Sequence, residues 1–129
     1  MAALLLDAPA MTRSTHLVTL STHRRRFVLR GDGRDVASRA LLRLPDRCPG
    51  VAVDCAVFLP DRVYAIVRVP TIAALPQLVQ TYKADTTRAL KKRITVDRVW
   101  EKGYEHRVIA DEAELISVRA TLRGYARAT

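Results

Sequence analysis

Residues 82–107 interleave cationic and aromatic side chains more densely than the rest of the sequence. Cations contact phosphates and aromatic faces stack on unstacked bases, so this mixture indicates binding of single-stranded or hairpin nucleic acid. Tyr82 fits better in a core, because it falls on the apolar stripe of a predicted helix, and Trp100 fits a core and a binding surface about equally. Together with the basic run Arg24, Arg25 and Arg26, the candidate nucleic-acid-binding residues are Lys83, Arg88, Lys91, Lys92, Arg93, Trp100, Lys102, Tyr104 and His106.

The overall charge agrees with a polyanionic partner. The chain has 129 residues, with 22 Lys and Arg against 13 Asp and Glu, which gives a net charge of +9 and a pI near 10.4. Such an excess favours nucleic acid, although an inert basic surface has the same composition. With 49% hydrophobic and 27% charged residues, the chain is expected to fold as one globular domain.

Patterns for metal binding or acid–base chemistry are sparse. The three histidines are scattered, Cys48 and Cys55 form no Cys-x-x-Cys pair, and the carboxylates of Asp35, Asp46, Asp61 and Asp97 each adjoin an arginine. No glycine-rich phosphate loop is present in the sequence. We therefore expect no metal and no cofactor.

The start MAALLLDAPA does not resemble a signal peptide and no apolar run is long enough to span a bilayer, which predicts a cytoplasmic protein without a membrane partner.

The hydrophobic periodicities predict seven elements in the order β-α-β-β-α-β-α. The first six correspond to a ferredoxin-like α+β fold, with a four-stranded antiparallel sheet and helices on one face, and the last helix is an addition at the C-terminus. We treat 1–129 as a single domain and expect 1–14 to be a flexible or swapped N-terminal segment. The predicted strands are 15–23, 51–59, 62–69 and about 104–109; the helices are 35–44, one capped by Thr71, and one capped by Asp111 with Glu114 completing a capping box.

The strand 62–69 raises a specific question. Its alternation places Val63, Ala65 and the following valines on one face, as expected of a core. Arg62 and Tyr64 lie on the opposite face, directly after a Pro-Asp turn. The core on the other face does not explain why an arginine and a tyrosine begin this one.

Four stretches resemble the single-tyrosine HUH transposases in their order and spacing: HLVTLSTHRRRFVL, VDCAVFLPDRVYAIVRVP, QLVQTYKADTTRALKK and VWEKGYEHRVIADEAELISVRATL. The similarity covers roughly 15–125 and is greatest to the insertion-sequence-200-like group and its REP-associated relatives. It implies the same ferredoxin-like fold, a homodimer, and recognition of DNA hairpins. It also implies a His-x-His pair that binds Mg or Mn, and a tyrosine on the last helix that forms a 5'-phosphotyrosine link.

The chain departs from this pattern at the catalytic positions. Arg62 and Tyr64 stand where the two histidines are expected, and Thr121 stands at the position of the nucleophilic tyrosine. A guanidinium has no lone pair for a metal and a neutral phenol is a poor ligand. Tyr125 lies one helical turn beyond Thr121 and is the candidate for a displaced nucleophile.

Three functions remain open from the sequence. The first is a transposase-family protein that binds single-stranded or hairpin DNA without cutting it, with Arg62 holding a phosphate in place of the metal and Tyr64 as a hydrogen-bond donor or stacking surface. The second is an active transposase or nickase that uses Tyr125, so that enzymatic activity is undecided. The third is a non-catalytic RNA-binding or protein-interaction module, because this fold has many functions.

Overall fold

The computed structural model describes residues 13–128. Most of the segment 1–14 lies outside this range, although Ser14 itself pairs with Val69. The strands are β1 (Ser14–Ser21), β2 (Ala52–Leu59), β3 (Arg62–Val69) and β4 (Glu105–Ile109), and the helices are α1 (Asp32–Leu42), α2 (Leu44–Arg47), α3 (Ala74–Leu90) and α4 (Glu112–Ala128), with a 3₁₀ turn at His23–Arg25.

The four strands form one antiparallel sheet in the order β2-β3-β1-β4. This arrangement confirms the predicted ferredoxin-like α+β fold. The strand and helix order is also as predicted, apart from the additional short α2. Among the described residues no helix is both long and apolar enough to cross a membrane.

Each face of the sheet has its own hydrophobic core. The larger core lies between the sheet and helices α1 and α3, and it buries the predicted face of β3, including Val63 and Val67. The smaller core lies on the opposite face, where α4 packs through Leu115, Val118 and Leu122 against a fully buried Ile66. The added helix therefore packs on the face that carries Arg62 and Tyr64.

An ion pair at a β-bulge in β2 connects α4 to the sheet. The pairing of β2 with β3 shifts between Val53 and Cys55, so Asp54 is the extra residue. Its carboxylate accepts two hydrogen bonds from the Arg119 guanidinium of α4 and lies 3.7 Å from Arg68. The hydrogen bonds from Arg119 lower the pKa of Asp54 below its usual value, although burial opposes them. This ion pair is most stable above that pKa and weakens as the pH falls through it.

The helix starts agree with prediction at α4 and differ at α1 and α3. Asp111 caps α4, since its side chain accepts a hydrogen bond from the Glu114 backbone N–H at 2.8 Å. The predicted cap Thr71 is wrong: its backbone carbonyl accepts from Ala74 in a preceding turn, and α3 begins at Ala74 without a side-chain cap. Helix α1 begins earlier than predicted, because Gly31 adopts φ 54° and starts the helix before Gly33.

Candidate nucleic-acid interface

Arg62, Tyr64 and Tyr125 lie together at one end of the sheet. Arg62 Nη1 donates a hydrogen bond to the Tyr64 hydroxyl at 2.9 Å. The ring of Tyr64 contacts that of Tyr125, with centroids 5.1 Å apart. Tyr125 is 40% exposed, so this pair leaves an aromatic surface open to solvent beside the guanidinium. The structure thus brings together three of the four residues predicted for the catalytic positions.

Thr121 makes a different contact. Its side chain is exposed, and its hydroxyl donates to the backbone carbonyl of Ser117 within the same helix at 3.2 Å. This hydrogen bond satisfies the hydroxyl locally, as is common for threonine in helices.

Asp61, in the turn before Arg62, connects this cluster to the basic run near the end of β1. Its carboxylate accepts hydrogen bonds from Arg25 Nε at 2.9 Å and from Arg62 Nε at 3.3 Å. Burial alone would raise the pKa of Asp61, but the two arginines outweigh burial and hold that pKa below its usual value. Asp61 is therefore ionised at neutral pH, and the cluster combines two guanidinium cations with one carboxylate.

The 3₁₀ turn that supplies Arg25 has an unusual backbone. Arg24 and Arg25 adopt φ values of 57° and 56°, a left-handed conformation that is strained for residues with a Cβ. Thr22 holds the turn, because its hydroxyl donates to the Arg26 carbonyl at 2.7 Å. Glu101 also holds it, accepting a hydrogen bond from the Arg24 backbone N–H at 3.1 Å. The backbone that carries Arg24, Arg25 and Arg26 is therefore held in one conformation.

The residues at this end do not suit a divalent metal. Arg62 has no lone pair, and the hydroxyl of Tyr64 already accepts a hydrogen bond from it. The Asp61 carboxylate is engaged by two cations that would repel a metal ion. Among residues 13–128 no group of three or more His, Cys, Asp and Glu side chains is arranged to hold a metal.

The predicted patch 82–107 is divided between the two sides of α3. One side forms a groove of about 630 Å³ between α3 and residues 97–104. Lys92 and Arg93 lie on the other side, facing α1. The candidate binding residues that line the groove are Lys83, Arg88, Lys91, Trp100, Lys102 and Tyr104, and Arg98 lines it as well.

Lys83 has a structural role within this groove. Its ammonium donates hydrogen bonds to the backbone carbonyls of Glu101, at 2.9 Å, and Gly103. Burial, and after it the nearby charge of Arg98, lower the pKa of Lys83. Lys83 therefore holds the 101–103 loop in position, while the more exposed cations of the groove remain available for an anionic ligand.

Trp100 is a candidate for base stacking in the sequence, and the structure favours its alternative role as a core residue. Its side chain is only 4% exposed in the larger core, and its ring lies 5.9 Å from that of Tyr82. The indole Nε1 donates to the Thr86 hydroxyl at 2.8 Å. Tyr82 is buried as predicted. Of the aromatic candidates, only the half-buried Tyr104 and the exposed His106, whose rings are 5.9 Å apart, remain accessible.

The comparisons with known proteins identify the fold. No family model and no curated protein match the chain. Among solved structures, a REP-associated tyrosine transposase bound to a REP hairpin is similar with a TM-score of 0.66, at 16% identity and over 84% of this chain. The chain has the same fold as this transposase. A protein assigned as a transposase in Deinococcus radiodurans is similar with a TM-score of 0.67, at 16% identity and over 89% of each chain. The chain spans 62% of the length of the REP-associated transposase.

Proposed function

We propose that the protein is a transposase-family DNA-binding protein that binds single-stranded or hairpin DNA without cleaving it. The observation that carries this proposal is the Arg62–Tyr64 pair, in which a guanidinium and a phenol are joined by a hydrogen bond of 2.9 Å. The resemblance to HUH transposases places the metal-binding histidines at these positions. A solved neighbour with the same fold was bound to a REP hairpin, which supports DNA as the partner.

The geometry suits an unpaired nucleotide. Arg62 is 34% exposed and supplies charged donors to a phosphate. The neighbouring rings of Tyr64 and Tyr125 supply an aromatic surface for an unstacked base. The cations along the α3 groove add contacts to further phosphates, which increase affinity without reading sequence.

Arg62→Ala is expected to weaken binding of a hairpin with a single-stranded arm by about 1–3 kcal/mol, because hydrogen bonds to charged groups contribute this much. The measurement is fluorescence anisotropy over a series of salt concentrations. Loss of one phosphate contact also reduces the slope of log affinity on log salt by about 0.7–0.9. Arg39→Ala, which removes an exposed arginine of α1 from the opposite face of the sheet, is the matched control.

Two results would contradict this proposal. Equal losses for Arg62→Ala and Arg39→Ala would show that binding depends on total charge alone. A wild-type affinity that is independent of salt, or equal for DNA and RNA of the same sequence, would favour the RNA-binding or interaction module.

The contact between Tyr64 and Tyr125 specifically favours a second candidate, an active nickase with a displaced nucleophile. We expect no covalent adduct when the protein is incubated with single-stranded hairpin DNA and Mg or Mn, because among residues 13–128 no group of three or more His, Cys, Asp and Glu side chains is arranged to hold a metal that could activate either phenol. Denaturing gel electrophoresis detects such an adduct. A covalent product that disappears in Tyr125→Phe, or in Tyr64→Phe, would establish the enzyme and overturn the inactive assignment.

The homodimer implied by the resemblance and the cytoplasmic location expected from the sequence stay predictions. Sedimentation velocity of the purified protein, with and without hairpin DNA, tests the first. The location requires cell fractionation.

A further inference from the structure

One carboxylate joins two arginines that come from different parts of the chain. Arg25 Nε and Nη2 lie 2.9 and 2.8 Å from Asp61 Oδ2, and Arg62 Nε lies 3.3 Å from Oδ1. The Asp61 side chain is 14% exposed, against 49% for Arg25 and 34% for Arg62. The carboxylate therefore lies behind two guanidinium groups that extend into solvent.

Both guanidinium groups keep unused donors. Arg62 donates from Nε to Asp61 and from Nη1 to the Tyr64 hydroxyl. Arg25 contacts Asp61 through Nε and Nη2. Among the described residues, neither Nη2 of Arg62 nor Nη1 of Arg25 donates a hydrogen bond within the protein. Guanidinium donors in a fixed plane match the oxygen geometry of a phosphate.

The backbone around this group is held firmly. The Asp61 carbonyl accepts hydrogen bonds from the Thr22 backbone N–H at 3.0 Å and from its hydroxyl at 3.1 Å. Thr22 itself is fully buried. The left-handed conformation of Arg25 persists only because such contacts impose it, and strain of this kind is often stored at functional sites.

We propose that Arg25 and Arg62 form a phosphate-binding fork and that Asp61 is the positioning residue that holds its two arms. The phosphate belongs to DNA if the function proposed above is correct. Asp61 restricts the rotamers of both arginines before the ligand arrives, so less side-chain entropy is lost on binding. A negatively charged residue therefore increases the affinity for an anion at this site.

The first test uses inorganic phosphate and therefore does not depend on DNA binding. Phosphate is titrated while the Nε–Hε resonances of Arg25 and Arg62 are followed by NMR. The wild-type protein is expected to show saturable shifts at both residues, and Asp61→Asn is expected to bind phosphate about fivefold more weakly or worse, since its arginines are no longer fixed. Asp61→Asn binding phosphate as tightly as the wild type, or more tightly, would overturn the proposal.

The second test uses hairpin DNA and compares two changes of equal charge. Asp46→Asn removes an exposed carboxylate from α2 and is expected to leave the affinity within about twofold, or to tighten it slightly, because an isolated surface charge contributes little. Asp61→Asn is expected to weaken the affinity although it makes the protein more positive. If Asp61→Asn weakens phosphate binding as expected but leaves the DNA affinity unchanged, the phosphate-binding fork is supported and DNA is excluded as its ligand.

Folding is checked separately by the melting temperature of each variant. If Asp61→Asn does not fold, Arg25→Ala removes one arm and leaves the carboxylate in place. Loss of the phosphate-induced shift at Arg62 in Arg25→Ala is expected from a two-armed fork, whereas an unchanged shift would overturn it.

Discussion

Trp100→Ala is expected to lower the free energy of unfolding by about 3–5 kcal/mol, as for other large aromatic residues removed from a core. The indole is 4% exposed and packs beside Tyr82, and its Nε1 donates to the Thr86 hydroxyl at 2.8 Å. The change leaves a cavity next to α3 and removes the donor to Thr86. Equilibrium unfolding in urea measures the loss.

Trp100→Phe tests the hydrogen bond of the indole. It keeps most of the buried ring and loses the hydrogen bond, so we expect a loss of stability of about 1–2 kcal/mol and an unchanged affinity for DNA. A base stacked on Trp100 would contribute about 1–3 kcal/mol to binding, and Trp100→Leu removes the aromatic face that such stacking needs. A fall in DNA affinity of this size for a folded Trp100→Leu protein would restore Trp100 as a binding residue.

Gly33→Ala is expected to destabilise the fold by about 3 kcal/mol, because overpacking against a backbone cannot be relieved by a rotamer change. A Cβ built on Gly33 lies 1.9 Å from the Val28 carbonyl oxygen. The start of α1 must then move away from the preceding loop. Thermal unfolding followed by circular dichroism measures the effect.

Gly124→Ala is the matched control for this change. Gly124 also lies in a helix, α4, and an added Cβ there has no neighbour within 4 Å. Alanine is the better helix former, so this variant is expected to gain about 0.5–1 kcal/mol. Similar losses for the two alanine variants would show that the clash at Gly33 is not the cause.

The elements could be predicted because their periodicity agrees with their burial. The alternation in β3 correctly separates Val63 and Val67 from Arg62 and Tyr64, and the apolar stripe of α3 correctly includes Tyr82. The position of α4 could not be predicted in the same way. The apolar stripe of α4 predicts that the helix is buried along one side. Only the three-dimensional structure shows that its packing partner is the second face of the sheet.

The candidate site could be predicted only in part. Arg62 and Tyr64 follow from the strand pattern, because both lie on one face of β3. The partnership of Asp61 with Arg25 joins residues that are 36 positions apart, and it depends on a left-handed turn that arginine rarely adopts. A Pro-Asp-Arg sequence indicates a local ion pair, and it gives no signal for the second arginine.

The sheet separates α4 from the larger core, and this has a consequence for local opening. Helix α4 is held by a small core around Ile66 and by the pair of Arg119 with Asp54. We therefore expect it to detach as a sub-global unit while the larger core stays folded. Such opening would carry Tyr125 away from Tyr64, whereas Asp61 and its two arginines depend on the turns beside the sheet. We therefore expect Tyr125 to belong to a different cooperative unit from Tyr64 and the two arginines.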